Sequence, residues 1–365
     1  GSVVPGRTLD ARRDTLVLSL SARSEESLAH LADAWADTLR ARPGEARTLA
    51  RTAAVHRAHH RHRAVLVGSD AAALADAAAQ RRYVAHGETD SVARPVFVFS
   101  GMGPQWWGMG WQLLADEPVF RRAMERCDDA FRKLAGWSIL EEMQRGEDSS
   151  RMARTEVAQP ANAALQIALT DLLASWGIRP AAVIGHSIGE VGAAYAAGTL
   201  DTRSALTVAY HRSRLQQRLA GRGGMLAAAL TFDDAAALVA RVGQRLSIAA
   251  VNSARSVTLA GPPAALELAG RELAAREVFH RTLAVEVPYH SAVMDELEGE
   301  LHTSLASLLP SAARTPVYST VSGGPLGEQR HDAAYWWRNV RQPVLFASAL
   351  RAALADGHRC FVEVG

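Results

Sequence analysis

The sequence predicts an α/β protein made of a large unit on a parallel sheet, a smaller α/β unit inserted into it, and a separate α/β unit at the N-terminus. Three observations predict this. Short continuous apolar runs, Pro95-Val-Phe-Val-Phe-Ser100, Ala181-Ala-Val-Ile184, Pro316-Val-Tyr-Ser319 and Phe361-Val-Glu-Val364, read as strands covered on both faces, as in a parallel sheet. Between residues 224 and 287 the order is strand, helix, strand, strand, helix, strand, the split-βαβ pattern of a ferredoxin-like unit. Glycines flank a serine in Gly185-His-Ser-Ile-Gly189, immediately after the second apolar run.

Taken in order, the N-terminal region holds a strand from Thr15 to Leu20, a helix from Glu25 to Arg40, a strand from Arg63 to Val67 and an Ala-rich helix from Asp70. His56, His59, His60 and His62 lie there among Arg57, Arg61 and Arg63, whose charge repels a cation, so a solvated basic face is expected and no metal site. After the strand at Pro95, helical stretches run to about Ser175. The strand at Ala181 turns at Gly185–Gly189 into a helix from Glu190 to Ala197, and a second helix covers Ala205 to Arg218. The inserted unit has strands Met225–Leu230, Leu246–Asn252, Ser256–Gly261 and Phe279–Val285, with helices Asp233–Val242 and Pro263–Arg276. A helix from Ser291 to about Leu308 leads back to the large sheet. The expected boundaries are 1–93 for the N-terminal unit, 94–223 and 288–365 for the large unit, and 224–287 for the insertion.

Composition narrows the class. In 365 residues, 40 basic side chains face 38 acidic ones for a net charge of +2, too balanced for a nucleic-acid protein. No apolar run approaches the ~20 residues of a membrane span and no signal peptide opens the chain, so a cytoplasmic protein without membrane contact is expected. Cys127 and Cys360 are far apart in sequence, which argues against a disulfide framework or zinc site and reads as two small buried hydrophobes. Gly1-Ser2 has the look of a protease scar, and the final run, Phe361 to Gly365, that of a strand cut before its loop. Both suggest a piece of a longer chain.

The chemistry centres on Ser187. Strand, tight glycine turn and small-residue helix form a nucleophile elbow, which holds a serine hydroxyl above the sheet and makes the large unit α/β-hydrolase-like. The helix that follows points its N-terminal N–H groups at the same place. Serine needs a base, and His290 in Val287-Pro-Tyr-His-Ser291 is the candidate. Several acids lie between Ser187 and His290, none in a recognisable strand-end loop. A Ser–His–acid hydrolase, a transferase and an inactive docking domain therefore stay open on the residues alone.

Further motifs fall in a recognisable order: Phe99-Ser-Gly-Met-Gly-Pro-Gln105, Gln159-Pro160, Gly185-His-Ser-Ile-Gly-Glu190, Arg212-Ser-Arg-Leu215, Gly221-Arg-Gly-Gly-Met225, Val251-Asn-Ser253, Val287-Pro-Tyr-His-Ser291, Tyr335-Trp-Trp-Arg-Asn339 and Phe361-Val-Glu-Val-Gly365. Over essentially its whole length the chain thereby resembles the acyltransferases of type I polyketide synthases, animal-type fatty acid synthases and bacterial malonyl transacylases. Residues 15–93 resemble the linker between ketosynthase and acyltransferase in modular polyketide synthases. The resemblance implies Ser187 as nucleophile and His290 as base, with the carbonyl at Asn339 orienting the imidazole. It implies an oxyanion hole from the Ile188 N–H and a donor at Gln105, and Arg212 as the ligand of a substrate carboxylate. It implies a ping-pong exchange: an acyl group from acyl-CoA to Ser187, then to the phosphopantetheine thiol of an acyl carrier protein, with a ketosynthase adjacent in the parent chain. No bound metal or redox cofactor is required.

The acyl group is expected to be malonyl or an atypical 2-alkylmalonyl. Gln159, Ile188, Val287, Pro288 and Tyr289 are the implied specificity pocket. Tyr289 stands where malonyl enzymes of the family carry Phe, and Ile188 is aliphatic as in those enzymes. Val287 is smaller than the usual residue and opens volume beside the acyl chain.

Overall fold

The computed structural model describes residues 15–89, 94–243 and 245–365. Gly1 and Ser2 lie outside the described residues. The chain divides into two compact units, residues 1–93 and 94–365.

The N-terminal unit contains β1 (Leu16–Ala22), α1 (Glu25–Ala41), α2 (Ala46–Val55), β2 (His62–Gly68), α3 (Ala71–Ala79) and β3 (Ala85–Glu88). The three strands form one antiparallel sheet in the order β1-β2-β3. Leu16, Leu18, Leu20 and Ala22 alternate into the core of β1, the period-2 pattern of a strand with one buried face. Ser24 caps α1 by accepting from Ser27 N–H, and Asp70 caps α3 by accepting from Ala73 N–H. The sequence reading lacked α2 and β3; every residue of β3 is exposed, so no apolar alternation marks it. His62 is not part of a solvated basic face: it is half-buried, 3.4 Å from Glu88 and 3.7 Å from Glu25. Among the described residues no three His, Cys, Asp or Glu side chains gather to hold a metal ion.

The second unit opens with β4 (Val96–Phe99), α4 (Trp111–Asp116), α5 (Pro118–Ala135), α6 (Ile139–Met143), α7 (Thr155–Ser175), β5 (Ala182–Gly185), α8 (Gly189–Ala197) and α9 (Thr202–Gln217). Helix α5 buries Phe120, Ala123, Met124, Cys127 and Phe131, a stripe at helical spacing. Burying each of its Phe rings stabilises the fold by about 1.5–3 kcal/mol. Cys127 is buried and its thiol is pushed up to about 12 by desolvation, whereas Cys360 is exposed, so only the first behaves as a core hydrophobe. None of the described helices is long and apolar enough to cross a membrane.

The insertion comprises β6 (Gly224–Ala228), α10 (Phe232–Val242), β7 (Ser247–Ser253), β8 (Ser256–Gly261), α11 (Pro263–Ala275) and β9 (His280–Thr282). Its antiparallel sheet has the order β7-β8-β6-β9, which is ferredoxin-like. Strand β9 stops at Thr282 rather than at Val285, because the chain turns there: Val285 N–H bonds back to the Leu283 carbonyl.

A 3-10 turn over Ala292–Leu297, α12 (Glu298–Leu305), β10 (Val317–Ser319), β11 (Gly324–Pro325), α13 (Ala333–Arg341), α14 (Phe346–Ala355) and β12 (Phe361–Val364) complete the chain. The single helix expected from Ser291 to Leu308 is thus split, with Ser291 capping the 3-10 segment by accepting from Val293 N–H. The large sheet runs β11-β10-β5-β4-β12, and its four central and outer strands β10, β5, β4 and β12 are parallel. Val96 pairs with Ala182 on one side and Phe361 on the other. Strand β5 is buried along its whole length, which is why its sequence is apolar without alternation.

Candidate active site

Strand β5 ends at Gly185 and α8 starts at Gly189, so three residues make the turn that carries Ser187. A Cβ on Gly185 would stand 2.3 Å from the Glu190 nitrogen, and one on Gly189 would stand 2.2 Å from the Phe99 carbonyl oxygen. Only glycine lets strand, turn and helix approach this closely. Ser187 itself has φ of 56°, a left-handed conformation that costs about 1–3 kcal/mol for such a residue. The surroundings hold it there: Glu190 N–H donates to the Ser187 carbonyl at 3.1 Å and Asn339 Nδ2 at 3.2 Å.

His290 arrives from the loop after the insertion, also with φ of 56°. Its rigid approach comes from Pro288, from Tyr289 N–H bonding the Val287 carbonyl and from Ser291 Oγ donating to the Pro288 carbonyl at 2.6 Å. Ser187 Oγ and His290 Nε2 are 2.7 Å apart. On the other side of the ring, Nδ1 lies 2.9 Å from the Gln342 carbonyl oxygen. A carbonyl only accepts, so Nδ1 carries the proton and Nε2 is the free acceptor for the serine proton. The orienting group is therefore Gln342 and not Asn339. Gln342 is the first residue beyond α13, and its extended backbone, φ −83° and ψ 160°, frees its carbonyl from the helix. Asn339 instead donates to Ser187 O and to Glu190 Oε2.

Arg212 on α9 is 1% exposed, and its Nη2 donates to Ser187 Oγ at 2.8 Å. Its Nε and Nη1 are buried without a hydrogen-bond partner. Two orphaned donors on a buried cation are costly unless an anion visits them. Burial lowers Arg212 to about 10, opposed by Tyr289 and Glu190. Burial first, then the Arg212 and His186 charges, pull His290 down to about 3, so its imidazole is neutral at physiological pH.

Ser187 and His290 open on a cavity of about 470 Å³ between the large sheet and the insertion, lined by Gln159, Tyr289 and His186 on one side and by Met225, Asn252 and Leu283 on the other. A second cavity of about 500 Å³ shares Met102, Val285 and Tyr289 with it. Tyr289 is fixed in this partition by a 2.5 Å hydrogen bond between its hydroxyl and Thr155 Oγ1. Of the sequence-derived pocket residues, Gln159 and Tyr289 line the Ser187 cavity, whereas Val287 lines the second. Ile188 is buried at the start of α8, and Pro288 lines neither cavity. Gln105 is not brought to Ser187: it lines the second cavity, and its Oε1 accepts from Gly103 N–H at 2.7 Å. The part of that loop facing Ser187 is Ser100 to Met102, with Pro104.

Besides Gln342, two residues at the site are not marked by the sequence. His186 lines the cavity with Nε2 held 2.9 Å from Asn252 Oδ1 of the insertion, and burial lowers its pKa. Glu190, quoted only within its motif, is buried below the elbow amid four hydrogen bonds, from Thr320 N–H, Thr320 Oγ1, Tyr335 O–H and Asn339 Nδ2.

Comparison with known proteins fits this arrangement. The family described as "Acyl transferase domain" matches residues 96–365, and "CurL-like, PKS C-terminal" matches residues 16–77. The spectinabilin polyketide synthase system protein NorA' of Streptomyces orinoci is 40% identical over 356 residues, covering 94% of this chain and 10% of that protein. The chain thus spans about a tenth of the length of this relative. The acyltransferase domain from module 8 of the salinomycin polyketide synthase superposes with a TM-score of 0.90 at 32% identity, covering 96% of this chain and 85% of that one. The acyl transferase domain of SpnD, in complex with 2-(pent-4-yn-1-yl)malonyl, gives 0.86 at 30% identity, with coverage of 96% and 85%. The chain belongs to the acyl transferase domain family and is an acyltransferase domain of a modular polyketide synthase, preceded by the linker region found in those synthases.

Proposed function

We propose that this domain takes a malonyl-type extender unit, malonyl or a 2-alkylmalonyl, from its coenzyme A thioester onto Ser187 and hands it to the phosphopantetheine thiol of an acyl carrier protein. The observation that carries the reading is Arg212: a buried guanidinium beside the nucleophile with two unpaired N–H groups. A free carboxylate on the acyl group would pair one of them in parallel with the second N–H of Nη2, since Nε–H and Nη1 lie on different edges of the guanidinium. An acetyl group would leave them orphaned.

In the first half-reaction His290 Nε2 takes the Ser187 Oγ proton as Oγ attacks the thioester carbon. The negative charge that forms on the carbonyl oxygen is met by the N–H of Ile188 and a donor from the loop around Gly101. The intermediate collapses, the C–S bond breaks, and His290 returns the proton to the departing coenzyme A sulfur. In the second half the carrier thiol gives its proton to the same nitrogen and attacks the acyl-serine ester; the C–O bond to Ser187 then breaks and His290 returns the proton to Oγ. The Gln342 carbonyl fixes the ring and its tautomer throughout, without the permanent ion pair a carboxylate would make. Tyr289, pinned to Thr155, lines both the Ser187 cavity and the second cavity, so a bulky α-substituent directed at it would meet a fixed wall. The similar SpnD structure holds a substituted malonyl group.

The test is to incubate the protein with malonyl-, alkylmalonyl- and acetyl-CoA and read the mass on Ser187 with and without carrier protein. A dicarboxylic adduct that persists until the carrier arrives is the expected result. Immediate hydrolysis of every acyl-CoA would identify a hydrolase, and no adduct with any of them a docking domain.

A further inference from the structure

Glu190 has no part in the reaction just described, yet it is 2% exposed and fully engaged by hydrogen bonds. Oε1 accepts from Thr320 N–H at 2.6 Å and lies 2.9 Å from Thr320 Oγ1, beyond the end of β10. Oε2 accepts from Tyr335 O–H at 2.8 Å and Asn339 Nδ2 at 2.9 Å, both on α13. Asn339 Nδ2 carries two protons, and the second goes to the Ser187 carbonyl at 3.2 Å. The next residues of the same helix end in Gln342, whose carbonyl holds His290 Nδ1. The carboxylate therefore sits where the strained nucleophile peptide and the helix that delivers the base's anchor meet.

Resting on the reading of Ser187 and His290 as nucleophile and base, we infer that Glu190 is a positioning residue: through Asn339 it keys α13 to the elbow and so sets the register between the two. The direction of the Asn339 amide is what transmits this. Facing a carboxylate, Asn339 must present Nδ2, and that same nitrogen clamps Ser187 O. Facing an amide donor, it must turn and present Oδ1, which leaves Ser187 O held by the Glu190 N–H alone and no longer tied to α13.

Glu190→Gln sets up this second case with almost no change in volume. It is expected to lower the first-order rate of Ser187 acylation by malonyl-CoA about ten- to a hundredfold, the scale of losing a hydrogen-bond network around a charged group, with the half-saturating acyl-CoA concentration unchanged. The exchange variant Glu190→Gln with Asn339→Asp puts the carboxylate on α13 and the amide on α8. The pair is complementary again, but position 339 has no donor for Ser187 O. It is expected to regain most of the resistance to denaturant and none of the acylation rate. Should Glu190→Gln alone fail to fold, the exchange variant carries the test by itself. A wild-type rate in Glu190→Gln, or a rate that recovers together with stability in the exchange variant, would overturn the inference. If the wild-type protein acquires no acyl group on Ser187, the reading of the nucleophile fails instead, before any variant is compared.

Discussion

At the scale of single residues, the site is a short chain of hydrogen bonds in which each partner has one available role. Gln342 can only accept, so His290 keeps its proton on Nδ1; Arg212 can only donate, so Ser187 Oγ accepts from it and gives its own proton to Nε2. With His290 lowered to about 3, the free protein keeps its base down to acid pH. The expected kcat/KM for acylation shows no acid limb near 6.5 and holds to below pH 5; an inflection at the ordinary histidine pKa would show the imidazole to be better solvated than its burial implies. Ser187 was legible because an elbow needs glycines at fixed offsets, and those are visible in a sequence. Gln342 was not, because any residue supplies a backbone carbonyl and nothing about its side chain marks it. The same reason explains why the sequence pointed to Asn339, a polar side chain three residues too early. Gln105 misled in a similar way: Gly103 turns the loop, and the side chain folds onto it.

At the scale of elements, the strand-turn-helix of β5 and α8 is a close-packed joint. Gly189→Ala would place a methyl group 2.2 Å from the Phe99 carbonyl, on backbone that belongs to the neighbouring strand β4 and cannot yield as a side chain would. The expected loss is about 1–3 kcal/mol or more of stability by denaturant titration, together with most of the acylation rate. A fully stable and active variant would mean the two strands separate more easily than their pairing suggests. The parallel strands and the βαββαβ insertion were readable because burial on both faces and alternation of strand with helix leave periodic traces. Strand β3 and the truncated β9 were not, since one is wholly exposed and the other ends where a turn, rather than a change of composition, stops pairing. Composition likewise marks Cys360 as core, although its position at a strand entrance leaves it exposed.

At the scale of the whole molecule, burial of histidines ties stability to pH. His290 at about 3 and His331 at about 4 stay neutral in the fold where the unfolded chain would take up protons below about 6.5. The unfolded state then binds more protons, so stability falls with falling pH by about 1.4 kcal/mol per pH unit for each such group, until the folded pKa is reached. Denaturant titrations from pH 7 to 5 should show this slope, and His290→Gln should reduce it by one proton; an unchanged slope would show that His290 is protonated in the fold. The central claim, that this acyltransferase holds a buried arginine in reserve for the carboxylate of its acyl group, is tested most directly by the ratio of kcat/KM for malonyl-CoA over acetyl-CoA in the wild type and in Arg212→Ala. Two lost charge-assisted hydrogen bonds predict that the substitution lowers the ratio about a hundredfold or more. An equal loss for both substrates would contradict the claim and leave Arg212 as a support for Ser187 Oγ alone.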